Sequence, residues 1–264
     1  MHEPAPSLGL RPQFLAGGNA RAVLFIHGFN SSPESLLPVA ERLAAEGFSV
    51  SLPLLPGHGT TPEDLARKTA RDWLDHALAA WDQLAAAYPY PAVAGLSMGA
   101  VLALHVASRR PVPAVVALAP ALYLRDWRIG LLPLARLLHP WRGDITHDVK
   151  DPVRSERAYP RYHLNSVREF LQVGKAVRPE LARVTAPLLG IQSREDHVIP
   201  PGCLAYLMRR AGSEVKEQHV LQNSYHVLTM DREYMRVAGF MLAFLARYLP
   251  DSTPATPPPA RKKP

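Results

Sequence analysis

The strongest constraint on this chain is an alternation of short apolar runs with helix-like segments. Ala22–Ile26 is a continuous apolar run ending at His27-Gly28, the pattern of a parallel strand buried on both faces. Ser32-Pro33-Glu34 then opens a helix, with Ser32 as N-cap and Pro33 as the first helical residue. Leu36, Val39, Ala40 and Leu43 share a face of that helix, and Gly47 ends it. Residues 48–54 read as the next strand, broken by Pro56-Gly57-His58-Gly59. A helix follows over 69–87, with Trp73, Ala77, Ala80, Trp81 and Leu84 on one side. Then come a strand at Ala92–Leu96, a helix at 98–108 and a strand at 112–119. The helix at 98–108 has no polar face, so it belongs inside the protein against a sheet. The alternation resumes with a strand at 186–192, a helix at 202–211, a strand at 215–221 and a helix at Tyr234–Tyr248.

Such an order predicts an α/β fold, a mainly parallel sheet with helices on both faces. Residues 1–20 form a lead-in with room for one short edge strand. Between 121 and 184 the alternation is lost over a stretch too long for an ordinary loop. Its tryptophans, prolines and the apolar patch at 129–138 predict a mostly helical cap or lid. The expected organisation is therefore a core at 1–120 and 185–250, a helical cap insertion at 121–184, and a Pro-rich basic tail at 251–264 without apolar periodicity, expected to be disordered.

Composition narrows the function classes. With 47% hydrophobic residues in 264, one large core is affordable. The net charge of +7 raises the question of nucleic acid, but Arg261, Lys262 and Lys263 are confined to the tail and the other arginines are scattered. No zinc spacing, RNP-like motif or basic helix is present, so no nucleic-acid partner is expected. Contact with anionic lipid surfaces stays open. No apolar run reaches the roughly 18 residues of a membrane span, so no integral membrane segment is expected. A single cysteine, Cys203, and a start without a basic-then-apolar leader pattern point to the cytoplasm.

The chemistry is concentrated in Gly95-Leu96-Ser97-Met98-Gly99, which matches G-x-S-x-G between an apolar strand and a helix. That context is a sharp strand-to-helix turn that exposes a serine, with glycines where a Cβ would collide. The alternative is an ordinary glycine-rich turn. A serine hydroxyl needs a base. Of eleven histidines, His226 stands between the last strand and the last helix, where chain order puts the base. The acid should follow the preceding strand, where Glu195 and Asp196 are adjacent. Asp196 is preferred because it precedes the apolar turn Val198-Ile199-Pro200 more closely than Glu195 does. An oxyanion hole would use the N–H of Met98 at the helix start and that of Phe29, where Gly28 permits close approach. His27 then hydrogen-bonds its loop.

With these residues placed, the chain resembles the carboxylesterases and monoacylglycerol lipases of the α/β-hydrolase superfamily, especially small bacterial esterases. The matching pieces are HGF at 27–29, PLLPGHG at 53–59 followed by TTPEDL and a DW at 72–73, GLSMG at 95–99, REDHVIP at 194–200 and NSYHVLTMD at 223–231. The resemblance implies the α/β-hydrolase fold, no metal and no organic cofactor. Tyr225 departs from it, standing where relatives often have glycine, and bears on access to the site.

The expected reaction is two-step acyl transfer on a small-molecule ester. Ser97 attacks, His226 moves the proton and Asp196 orients the base. Leu131, Leu132, Leu134, Leu137 and Leu138 are expected either to line an acyl pocket or to pack the cap onto the sheet. That favours short to medium acyl esters or monoacylglycerols. Other acyl transfer and C–C, lactone or thioester hydrolysis on the same triad stay open, as does a non-catalytic binding module. The oligomeric state is not legible.

Overall fold

The computed structural model describes residues 9–124, 140–143 and 148–249. The strands are β1 (Gln13–Leu15), β2 (Ala22–Ile26), β3 (Ser49–Leu52), β4 (Ala92–Leu96), β5 (Val115–Leu118), β6 (Trp141–Gly143), β7 (Arg161–His163), β8 (Leu188–Ser193) and β9 (Lys216–Leu221). The α-helices are α1 (Leu37–Ala45), α2 (Pro62–Leu65), α3 (Ala70–Ala85), α4 (Met98–Ala107), α5 (Leu164–Val177), α6 (Gly202–Arg210) and α7 (Tyr234–Tyr248). Seven strands form one sheet in the order β1-β3-β2-β4-β5-β8-β9. Its pairings are parallel except at the edge, where β1 runs antiparallel to β3.

Both faces of this sheet are covered, which explains why β2 and β4 read as unbroken apolar runs. Leu24, Ile26, Val93, Val115 and Leu188 face a core completed by α3, α4, α5 and α6. Val23, Phe25, Ala94, Val116 and Ile191 face the opposite core, closed by α1 and α7. Helix α4 is buried along its whole length, as a helix without a polar face requires. It lies so close to the sheet that a Cβ on Gly99 would sit 2.0 Å from the Ile26 carbonyl oxygen, and one on Gly95 would sit 2.0 Å from that of Gly99. Thr69 and Asp72 form a reciprocal capping box at the start of α3.

Three local expectations are modified. The helix expected from Ser32 begins as a 3-10 turn, Pro33–Leu36, before α1. Pro38 has no N–H to give Glu34, so the Glu34 carbonyl takes the Leu37 N–H instead. Ser32 has the extended backbone of an N-cap but makes no side-chain capping bond. In the stretch expected to be mostly helical, β6 and β7 form an antiparallel ribbon. After it, α5 packs Phe170, Val173 and Val177 into the same core as α3 and α4. The leucines of 129–138 and the tail 251–264 lie outside the described residues.

Candidate active site

The site forms at the C-terminal ends of β2, β4, β8 and β9, where parallel strands hand the chain to loops. Ser97, between β4 and α4, has φ 59° and ψ −119°. A non-glycine residue there is strained, and the strain persists because the surrounding structure fixes it. Part of that fixing is the Ser97 N–H, which donates to the Leu118 carbonyl at 2.9 Å, while the Ser97 carbonyl accepts from Ala100 at 3.1 Å. Met98 is the first residue of α4, so its N–H belongs to the turn that lacks intrahelical acceptors.

Opposite the serine runs the loop after β2. A Cβ on Gly28 would lie 3.3 Å from Ser97 Cβ and 3.8 Å from its Oγ. Glycine here leaves room beside the hydroxyl and lets the backbone carrying Phe29 pass close by. The Phe29 ring stacks on Phe170 with centroids 5.3 Å apart and meets Trp73 edge-on at 6.1 Å.

Two buried histidines tie this loop down. His27 Nε2 accepts the Leu55 N–H at 3.1 Å, and its Nδ1–H donates to the Gly28 carbonyl at 2.8 Å. His58 Nε2 accepts the Asn30 N–H at 3.1 Å, and its Nδ1–H donates to the Pro56 carbonyl at 3.3 Å. Both rings are neutral. Burial, then the neighbouring His58, holds His27 well below the ordinary histidine value. Burial brings His58 down to about 4. Asn30, at φ 53°, pairs through both atoms of its amide with the backbone of Tyr159 at 3.3 Å. Trp73 Nε1–H anchors the Pro56 carbonyl at 2.9 Å. His27 thus bonds its loop as expected. The parts played by His58, Asn30 and Tyr159 went unread. The only signal was the PGHG turn, which marks a loop but not what it holds.

Asp196 and His226 come together at the other side. His226 Nδ1–H donates to Asp196 Oδ2 at 2.9 Å. Asp196 Oδ1 accepts the N–H groups of Val198 at 2.9 Å and Ile199 at 2.7 Å. The apolar turn that singled out Asp196 therefore fixes its carboxylate. Glu195 points elsewhere, to Lys150 Nζ at 2.6 Å, and is partly exposed. Burial pulls the His226 pKa down, but the charge and hydrogen bond of Asp196, with the charges of Asp148 and Glu156, outweigh it and raise the net value. With Nδ1–H committed to Asp196, Nε2 carries the free lone pair. Ser97 and His226 are each 7% exposed, open enough for a ligand to touch and otherwise shielded from water.

Tyr225, the departure from the resemblance, donates its backbone N–H to Asp231 at 2.7 Å. Its ring packs edge-on against His197 at 4.4 Å. Among the described residues, no cluster of three or more His, Cys, Asp or Glu could hold a metal ion. No described helix is long and apolar enough to cross a membrane.

The chain is similar to known proteins in sequence and fold. The family model described as serine aminopeptidase, S33, matches residues 18–233. A thermostable monoacylglycerol lipase of Bacillus sp. (strain H-257) is 32% identical over 94% of this chain and 99% of its own length. A Bacillus subtilis carboxylesterase is 23% identical over 89% of this chain and 96% of its own. A solved structure described with two metagenome-derived lipolytic enzymes, LipS and LipT, superposes with TM-score 0.87 at 33% identity, covering 92% of this chain and all of that one. The crystal structure of Paleococcus ferrophilus monoacylglycerol lipase shares the fold at TM-score 0.76 and 18% identity, over 90% of this chain and 99% of its own. The fold is that of the α/β-hydrolases.

Proposed function

Because the chain belongs to the serine aminopeptidase S33 family of α/β-hydrolases, we propose that it is a serine hydrolase cleaving short to medium acyl esters or monoacylglycerols through an acyl-enzyme intermediate. The observation that carries this reading is a pair of geometries: Ser97 strained on its elbow beside Gly28, and the buried bond from His226 Nδ1–H to Asp196. Ester chemistry is preferred to peptide chemistry because the relatives similar over nearly the whole chain are a monoacylglycerol lipase and a carboxylesterase.

In this mechanism His226 Nε2 takes the Ser97 proton as Oγ attacks the ester carbonyl. The N–H groups of Phe29 and Met98 receive the charge that develops on the carbonyl oxygen. The Asp196 carboxylate keeps the tautomer that leaves Nε2 free and stabilises the imidazolium. The imidazolium then protonates the leaving alcohol. In the second half His226 deprotonates a water as its oxygen attacks the acyl carbonyl, and the imidazolium returns that proton to Ser97 Oγ as the C–Oγ bond breaks and the acid leaves.

Residues 121–184 serve as the cap in this reading, supported by the bonds that Tyr159 and Asp148 make to loops around the site. The acyl pocket assigned to Leu131, Leu132, Leu134, Leu137 and Leu138 rests on their sequence alone. A single buried cysteine suits work in the cytoplasm.

The test is a p-nitrophenyl ester series from acetate to laurate beside aminoacyl p-nitroanilides. Each buried methylene is worth about 0.8 kcal/mol, so kcat/KM should climb about fourfold per methylene until the pocket fills. Anilide turnover exceeding ester turnover would overturn the ester reading.

A further inference from the structure

We infer that Asp148 is a positioning residue for the proton-transfer step, a carboxylate delivered by the inserted segment that clamps the loop carrying His226 to the loop carrying Asp196. The inference rests on the triad reading above. Asp148 Oδ2 accepts the backbone N–H of His226 at 3.0 Å and that of His197 at 3.1 Å. Its Oδ1 meets His197 Nδ1 at 2.6 Å, and its own carbonyl accepts the Val227 N–H at 3.1 Å. One side chain thus holds the base itself and the residue directly after the acid. It does so across sequence separations of 78 and 49 residues. The carboxylate is largely withdrawn from solvent, at 12% exposure.

A second clamp runs in the reverse direction and supplies the comparison. Asp231, in the base loop, accepts the N–H groups of Lys150 at 2.9 Å, Asp151 at 3.1 Å and Tyr225 at 2.7 Å. Asp231 joins the inserted segment to the base loop through Lys150, Asp151 and Tyr225, whereas Asp148 binds the N–H of His226 itself. The charges that raise the His226 pKa most are Asp196 from the loop after β8, then Asp148 and Glu156 from the inserted segment. His197, 60% exposed, faces Asp148 and offsets its charge when protonated. Asp148 therefore combines two effects on one catalytic group. Its hydrogen bonds set where the His226 backbone sits, and its charge favours the imidazolium formed as Ser97 attacks.

The two effects can be separated from mere bracing. The experiment measures the pH dependence of kcat/KM on p-nitrophenyl butyrate for wild type, Asp148→Asn and Asp231→Asn. Rates are normalised to the serine sites labelled by a fluorophosphonate, so molecules that do not fold drop out. Asp148→Asn keeps the shape and removes the charge. Its acid limb should move to lower pH by roughly half a unit or more. Its kcat/KM at pH 8 should fall several-fold as the imidazolium loses that charge. Asp231→Asn should lower the melting temperature and leave the limb where it was. An unmoved limb in Asp148→Asn, or an equal shift in both variants, would overturn the inference. Absence of a fluorophosphonate adduct on Ser97 of the wild type would remove the triad reading and this inference with it. An adduct with an unmoved limb removes only the role of Asp148.

Discussion

Replacing Asp196 by Asn separates the proposed orienting carboxylate from its neighbour Glu195. The carboxylate is fully buried and fully committed, with Oδ1 on the N–H groups of Val198 and Ile199 and Oδ2 on His226 Nδ1. An Asn side chain has one acceptor oxygen for these two positions. If that oxygen stays on the two N–H groups, its NH2 faces His226 and demands an unprotonated Nδ1. The ring proton then moves to Nε2, the nitrogen needed to receive the Ser97 proton. Loss of the right tautomer, together with the charge that steadies the imidazolium, is expected to lower kcat about 10⁴-fold. That corresponds to about 5.4 kcal/mol at 1.36 kcal/mol per tenfold. Glu195→Gln breaks only a partly exposed pair with Lys150, an interaction worth roughly 0–1 kcal/mol, and should stay within a few-fold of wild type. The assay is steady-state hydrolysis of p-nitrophenyl butyrate, with circular dichroism showing that both variants are folded. A loss of less than tenfold in a folded Asp196→Asn, or a larger loss in Glu195→Gln, would refute the assignment.

Ser97→Ala should lower ester turnover by roughly 10³-fold or more with the fold intact, and mass spectrometry after fluorophosphonate treatment should find the adduct on Ser97 in wild type alone. The acid limb of the wild-type kcat/KM profile should have its midpoint above 6.5, because the net influence on His226 raises its pKa and only the neutral ring can act as base. A limb centred below 6.5 would contradict this. Gly28→Ala places a methyl 3.3 Å from Ser97 Cβ, so kcat/KM should fall about 100-fold while the melting temperature changes little. A large drop in stability would instead make Gly28 a folding residue. His58 contributes stability that is present above its unfolded value of 6.5 and is lost as pH falls toward its folded value of about 4. The unfolded chain binds the extra proton in that window, and the shift corresponds to about 3 kcal/mol. Urea titrations of His58→Gln should therefore show a shallower loss of stability between pH 6.5 and 4 than wild type, and equal slopes would show that His58 is not the responsible group.

The parts of this protein that the sequence determines by itself are those whose physics is local or periodic. β2 and β4 are apolar at every position because both faces are covered, and a strand can announce that in five residues. α4 lacks a polar side because it is buried all round. The elbow at Ser97 is legible because a strand, two glycines and a helix in succession leave the backbone few ways to turn. Asp196 could be preferred to Glu195 because the backbone N–H groups that fix it lie two and three residues on. Chain order among parallel strands put His226 after the last of them. Only the tertiary structure decided which distant groups hold these pieces in register. Asn30 meets Tyr159 across 129 residues, His58 reaches Asn30 across 28, and Asp148 reaches His226 across 78. A polar side chain in a loop has the same local signature whether it is solvated or clamps a catalytic loop. The difference arises when the chain closes and withdraws it from water, which makes an unpaired polar group costly and fixes its partner. The strand ribbon of β6 and β7 belongs to the same class, since three-residue strands carry too short a pattern to be seen until they pair. The 3-10 turn before α1 is the exception, because Pro38 was in plain view and its missing N–H decides the bonding within one turn.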